Sequence, residues 1–227
     1  MIVSIHQPQY IPWLGFFDKI DKSDMFVFLD NVQYKKREFQ NRNKIRTKTG
    51  WMWLTVPVIS KSRYTQKIKD VQIDNTYNWR DKHSKSIKLT YNRALSFKEY
   101  FSFFEELYLR EWKSLVDLNV CIIKKSMEFL GVKKDIYFES DLDISADKTP
   151  RIIDICKKVN ADTYLSGQGA KTYLDEELFK RNNVKLVYQD FMHPQYEQCY
   201  KPFIPYMSII DLLFNHGQDS LRILRGK

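Results

Sequence analysis

A chain of 227 residues, 43% of them hydrophobic, is long enough to bury a substantial core and reads as a single α/β domain, residues 1–227, with insertions. No stretch approaches the ~18 consecutive apolar residues of a membrane span, the N-terminal segment lacks a signal-peptide pattern, and three scattered cysteines (Cys121, Cys156, Cys199) argue for reduced thiols in a cytoplasmic protein rather than a disulfide framework or zinc knuckle. A formal charge of +9, combined with 15 Phe, 14 Tyr and 5 Trp, suits either nucleic acid or a phosphorylated small molecule as partner.

Four apolar-rich residues, Ile2 to Ile5, precede a His, two prolines and a glycine, which predicts a short buried strand leaving the sheet at His6. The loop that follows is stiff, because Pro8 and Pro12 fix their own φ and push Gln7 and Ile11 towards extended geometry. A helix is expected over Phe16 to Ile20, and the run MFVFLD is expected to form a second buried strand ending at Asp30. WMWLTVPV at 51–58 and KDVQIDN at 69–75 predict an excursion of two strands. From 78 to 130 the four-residue spacing of Trp79, His83, Ile87 and Tyr91, continued by Phe97, Phe101, Phe104 and Tyr108, predicts a helical insertion ended by Gly131.

Alternation then returns. DIYFESDL predicts a strand, Thr149-Pro150 opens a helix through Val159, DTYLSG predicts a strand ending at Gly167, Ala170 to Arg181 a helix and VKLVYQDF a last strand. SIIDLLFNHG at 208–217 predicts a capped helix. The order β-α-β, helices, β-α-β-α-β argues for a mainly parallel sheet with helices on both faces.

Three loops would then share the carboxyl edge of the sheet, where open parallel sheets bind ligands. The first contributes His6, Gln7, Tyr10 and Trp13, and the second Asp30, Gln33, Asn41, Arg42 and Asn43. Arg42 suits a phosphate or carboxylate, and the amides suit polar recognition. The third, Ser166, Gly167, Gln168, Gly169 and Ala170 followed by Tyr173, exposes backbone N–H groups before an expected helix and favours an anion. Each loop also reads as an ordinary polar turn. His193 follows the last strand and precedes Pro194, a position compatible with catalysis or phosphate binding, whereas His83 and His216 read as a core-edge and a helix-end histidine. No metal-ligand spacing is present, so no metal site is expected.

HQPQYIPWLGFFDKI, FLDNVQYKKREFQNRNKI, WLTVPV, NWRDKHSKSI, YLSGQGAKTYL, QDFMHPQYEQ and MSIIDLLFNHG, in this order, resemble the WbqC-like protein family from the first residues nearly to the last. The resemblance implies a role in bacterial surface polysaccharide (O-antigen) synthesis. The expected reaction is aminoacyl or acyl transfer to the amine of a nucleotide-linked amino sugar, with His6 as general base or oxyanion partner and Arg42 as anion clamp. A looser similarity to nucleotidylyltransferases and pantothenate synthetase adds activation by ATP or another nucleotide as the cofactor expectation, although their paired-histidine motif is absent: Gln7, Pro8 and Gln9 follow His6. The expected partner is a small molecule, with no nucleic acid and no membrane span. A basic nucleic-acid-binding protein and a noncatalytic assembly scaffold are the alternatives.

Overall fold

The first apolar run, Ile2–His6, is the central strand (β1) of a five-stranded parallel sheet. A computed structural model describes residues 1–227, which divide into two compact units. Met1–Pro8, Gly15–Val32 and Lys134–Met192 make the first; Gln9–Leu14, Gln33–Lys133 and His193–Lys227 make the second.

In the first unit β1 leads through helix α1 (Leu14–Asp21) to β2 (Met25–Phe28), four residues buried throughout, as a strand covered on both faces requires. The chain returns at β5 (Asp135–Phe138), passes through α5 (Lys148–Lys158) to β6 (Thr163–Ser166), then through α6 (Glu176–Arg181) to β7 (Lys185–Tyr188). All neighbours are parallel, in the order β5-β2-β1-β6-β7. The chain therefore moves outward from β1 in opposite directions, and the β1/β6 junction is a topological switch point.

Period-two alternation sorts the side chains of β1. Val3 and Ile5 join Val27 of β2 and Ile152, Ile155 and Cys156 of α5 in one apolar cluster. His6 turns the other way and meets Phe16 of α1 edge-on at 5.1 Å, at the head of an aromatic chain through Phe26, Phe28 and Phe138.

The helix expected over Ala170 to Arg181 is not continuous. Gln168–Thr172 is a short 3-10 turn, and α6 starts only at Glu176, where the Asp175 carboxylate accepts the Leu178 N–H at 3.0 Å. Asp175 is a good N-cap and so ends one element and begins the next.

The second unit holds an antiparallel hairpin of β3 (Arg42–Thr47) and β4 (Gly50–Thr55), packed with α2 (Trp79–Tyr91), α3 (Phe97–Leu109), α4 (Leu115–Phe129), α7 (Ile209–His216) and α8 (Ser220–Leu224). The helical insertion expected between 78 and 130 consists of α2, α3 and α4. The expected strand pair is corrected: the partner of β4 is the basic segment Arg42–Thr47, and 69–75 forms no strand. Ile68–Asp70 is a 3-10 turn, and beyond it only single bridges join Val58 with Ile73 and Gln72 with Ser114. The basic segment hides its strand period because Arg42, Lys44 and Arg46 face one way while Asn43 and Ile45 are buried the other way.

Candidate functional site

A cavity of about 420 Å³ lies within the first unit at the carboxyl end of β1 and β6. Ile5, Ile152, Tyr164 and Leu174 give it an apolar floor. His6, Gln7, Ser166, Gly167, Gly169 and Tyr173, all expected from the sequence to contact a ligand, line it together. Two of these need qualification. Ser166 is fully buried and its hydroxyl donates to the Gly167 carbonyl at 3.3 Å, whereas Tyr173 is 70% exposed and belongs to the rim. No protein atom lies within 4 Å of a Cβ built on Gly167 or Gly169, so a side chain at either would extend into open space.

The charged lining comes from elements whose role the sequence reading missed. Lys19 on α1, Asp147 before α5, and Lys148 and Arg151 on its first turn supply three cations against one carboxylate. Lys19 is only 3% exposed and its ammonium donates to the Ile5 carbonyl at 3.1 Å; no carboxylate forms an ion pair with it. Burial lowers its pKa to about 7. His6 is lowered to about 3, first by burial and then by the positive charge of Lys19, so its imidazole is neutral at pH 7. Its Nδ1 lies 3.0 Å from the Gln7 carbonyl oxygen, which can only accept. Nδ1 therefore carries the proton, and Nε2 is left with the lone pair.

Arg151 is held from two sides. It pairs with Glu139, whose side chain is fully buried, and with Asp147 at 2.8 Å. Glu139 also accepts the Asn31 N–H at 3.2 Å. Asp30, a predicted ligand contact, is not in the cavity wall: its carboxylate accepts the Ser140 N–H at 3.0 Å and hydroxyl at 2.7 Å. It thereby fixes the turn that carries Glu139, and through Glu139 it orients Arg151.

The other predicted site residues belong to the second unit. Tyr10 is buried, its hydroxyl 2.8 Å from His83 Nδ1 and 2.5 Å from the Tyr108 hydroxyl. Trp13 lies against Tyr206 at 5.7 Å. Gln33 donates to the Tyr64 carbonyl at 2.9 Å, Asn41 to that of Val56 at 2.8 Å, and Asn43 to that of Ile11 at 2.9 Å. The last bond holds a β-branched residue at φ 41°, a conformation that needs outside support. The Arg42 guanidinium lies 4.3 Å from the centre of the Trp53 ring and donates to the Arg37 carbonyl. His193 uses both nitrogens: Nδ1 donates to the Pro194 carbonyl at 2.8 Å and Nε2 accepts the Tyr206 N–H at 3.1 Å. Burial lowers its pKa.

The model of the WbqC-like protein family matches residues 7–223. The chain belongs to the WbqC-like protein family. Among curated proteins, the uncharacterized protein Rv1507c of Mycobacterium tuberculosis is 35% identical over 225 residues, which is 98% of this chain and 97% of that protein. No solved structure matches. No helix of this WbqC-like protein is long and apolar enough to cross a membrane.

One sequence signal could have led to Lys19. In LGFFDKI, residues 14–20 of α1, every residue is buried, so the two ionisable residues of this stretch both need a reason to be inside. Asp18 has one, since it accepts from Gln189 at 2.6 Å and pairs with Lys22 at 2.9 Å. Lys19 has only a carbonyl. Chemically, the cavity of this WbqC-like protein offers an apolar floor, a cationic wall and a neutral imidazole with a free acceptor nitrogen.

Proposed function

We propose that this cavity binds a nucleotide-linked amino sugar and that the protein transfers an acyl or aminoacyl group to the sugar amine, as an enzyme of bacterial surface polysaccharide synthesis. The observation that carries the reading is the position of the cavity: it sits at the switch point of a parallel sheet, where nucleotides bind in doubly wound folds, with three cations and two glycines around an apolar floor. Family membership supports the polysaccharide context only at the level of the resemblance.

In the proposed step the amine attacks the carbonyl carbon of an activated carboxylate, an acyl adenylate formed from ATP with release of pyrophosphate. The C–N bond forms, the bond from carbonyl carbon to phosphate oxygen breaks, and AMP leaves with the electron pair. The amine proton passes to Nε2 of His6, the lone-pair nitrogen. Cationic groups in the cavity wall stabilise the charge on the departing phosphate.

The test is incubation of the purified protein with nucleotide-linked amino sugars, amino acids or other carboxylates, and ATP, followed by mass spectrometry. An acyl mass added to the sugar amine is expected. Unchanged nucleotide sugars across a broad panel would overturn the reading in favour of a noncatalytic scaffold.

One observation favours a second reading. On the β3–β4 hairpin, the Lys44 ammonium lies 4.3 Å from the centre of the Trp51 ring and Arg42 covers Trp53, a basic and aromatic face of the kind that binds nucleic acid. Submicromolar binding of RNA or DNA at physiological salt, weakening steeply with added salt, would establish it. No such binding is expected.

A further inference from the structure

The cavity contains a lysine that pairs with no anion of the protein. Lys19 is 3% exposed, its ammonium has the Ile5 carbonyl as hydrogen-bond partner, and it lines the cavity together with His6. A buried charge with no counter-ion is unfavourable, and a protein that retains one has a reason outside its own packing. Resting on the nucleotide reading above, we propose that Lys19 is the counter-cation of the ligand's phosphate and that the phosphate and a proton bind together, the proton residing on Lys19.

The surroundings narrow the assignment. On its own helix, the Asp18 carboxylate is committed to Lys22 and Gln189. From β1 comes His6, neutral and with its Nδ1–H directed to Gln7. From the α5 side come Arg151, whose charge is balanced by Glu139 and Asp147, and Lys148, exposed at the entrance. Tyr164 of β6, its pKa raised by burial, stays neutral, and Tyr173 stands at the rim. Lys19 is thus the buried cation of the wall without a carboxylate. Burial lowers it to about 7, so above neutrality it is largely unprotonated without ligand. A phosphate beside it favours the ammonium, so binding takes up a proton and weakens as the pH rises.

The experiment is calorimetric titration of the full chain with ADP, whose terminal phosphate, with a second pKa of about 6, is fully ionised from about pH 7.5 to about pH 9, in buffers of different ionisation enthalpy. Uptake approaching one proton is expected near the upper end of that range, with affinity falling by up to about tenfold per pH unit. Lys19→Met, which exchanges a buried amine for an apolar chain of similar length, should fold, bind ADP ~10-fold or more weakly and take up no proton. His6→Gln should keep the uptake. ADP binding with no proton uptake, or with undiminished affinity in Lys19→Met, would overturn the role of Lys19 and leave the nucleotide reading standing. Uptake lost in His6→Gln but kept in Lys19→Met would give the proton to His6 and equally overturn it. No ADP binding by the wild-type protein would overturn both.

Discussion

The ammonium of Lys19 donates to the carbonyl oxygen of Ile5 at 3.1 Å, joining the buried stretch of α1 to the last buried residue of the central strand. Burial lowers this lysine from 10.5 to about 7. Between those values the unfolded chain holds a proton that the folded chain has released, so this group makes stability rise with pH across that window. Its destabilising effect is complete below about pH 7 and gone above the unfolded value. Lys19→Met should therefore melt higher than wild type at pH 6, and the gap should narrow steadily towards pH 10. Melting curves of both proteins across that range check this; a gap independent of pH would contradict it.

His6 places a neutral imidazole in the cavity wall with Nε2 as acceptor. His6→Gln keeps a polar side chain of similar reach but removes the proton-accepting nitrogen. Acyl transfer should fall ~100- to 10,000-fold, while the melting temperature changes little because the residue is only half-buried. A large fall in melting temperature with activity preserved would make His6 structural.

A Cβ on Gly169 meets no protein atom within 4 Å, and Gly169 has no positive φ. Gly169→Val should consequently leave stability within about 0.5 kcal/mol of wild type while narrowing the cavity. ADP affinity is expected to drop ~10-fold or more, because a branched side chain holds a phosphate away from the backbone. Binding and melting measured on the same preparation separate the two effects.

In the second unit Asp211 is fully buried and accepts hydrogen bonds from Tyr91 at 2.8 Å, Tyr196 at 2.8 Å and Gln198 at 2.7 Å. Asp211→Ala strands three donors and should destabilise the protein by about 3–5 kcal/mol, lowering the melting temperature by roughly 10 °C. Asp211→Asn retains one acceptor oxygen and should have a smaller effect. Chemical denaturation of the two variants gives both numbers.

The strands of the parallel sheet were legible because each is a short apolar run bounded by turn residues, as MFVF and TYLS show. β3 was not, since RNKIRT carries a cation at every second position and reads as a solvated charge run until its alternation is paired with WMWL. The reverse error befell 69–75, whose alternation is real but whose neighbours offer only isolated bridges. Within the site, His6, Gln7 and the 166–169 turn were visible because they follow strand ends. Arg151 was hidden inside an amphipathic helix, and only its partner Glu139, distant in the chain, explains its orientation.

By itself the sequence determined the alternation of strands and helices, the α/β class and the family, since these depend on local periodicity and on motifs read in order. The tertiary structure alone decided which strands are neighbours, and hence that β1 and β6 flank the switch point although more than 150 residues separate them. It also decided the protonation of the cavity. The same lysine side chain on an exposed helix would keep its ordinary pKa; on α1 it loses its water to the surrounding core, and that desolvation is a property of the packed molecule, which no stretch of sequence contains.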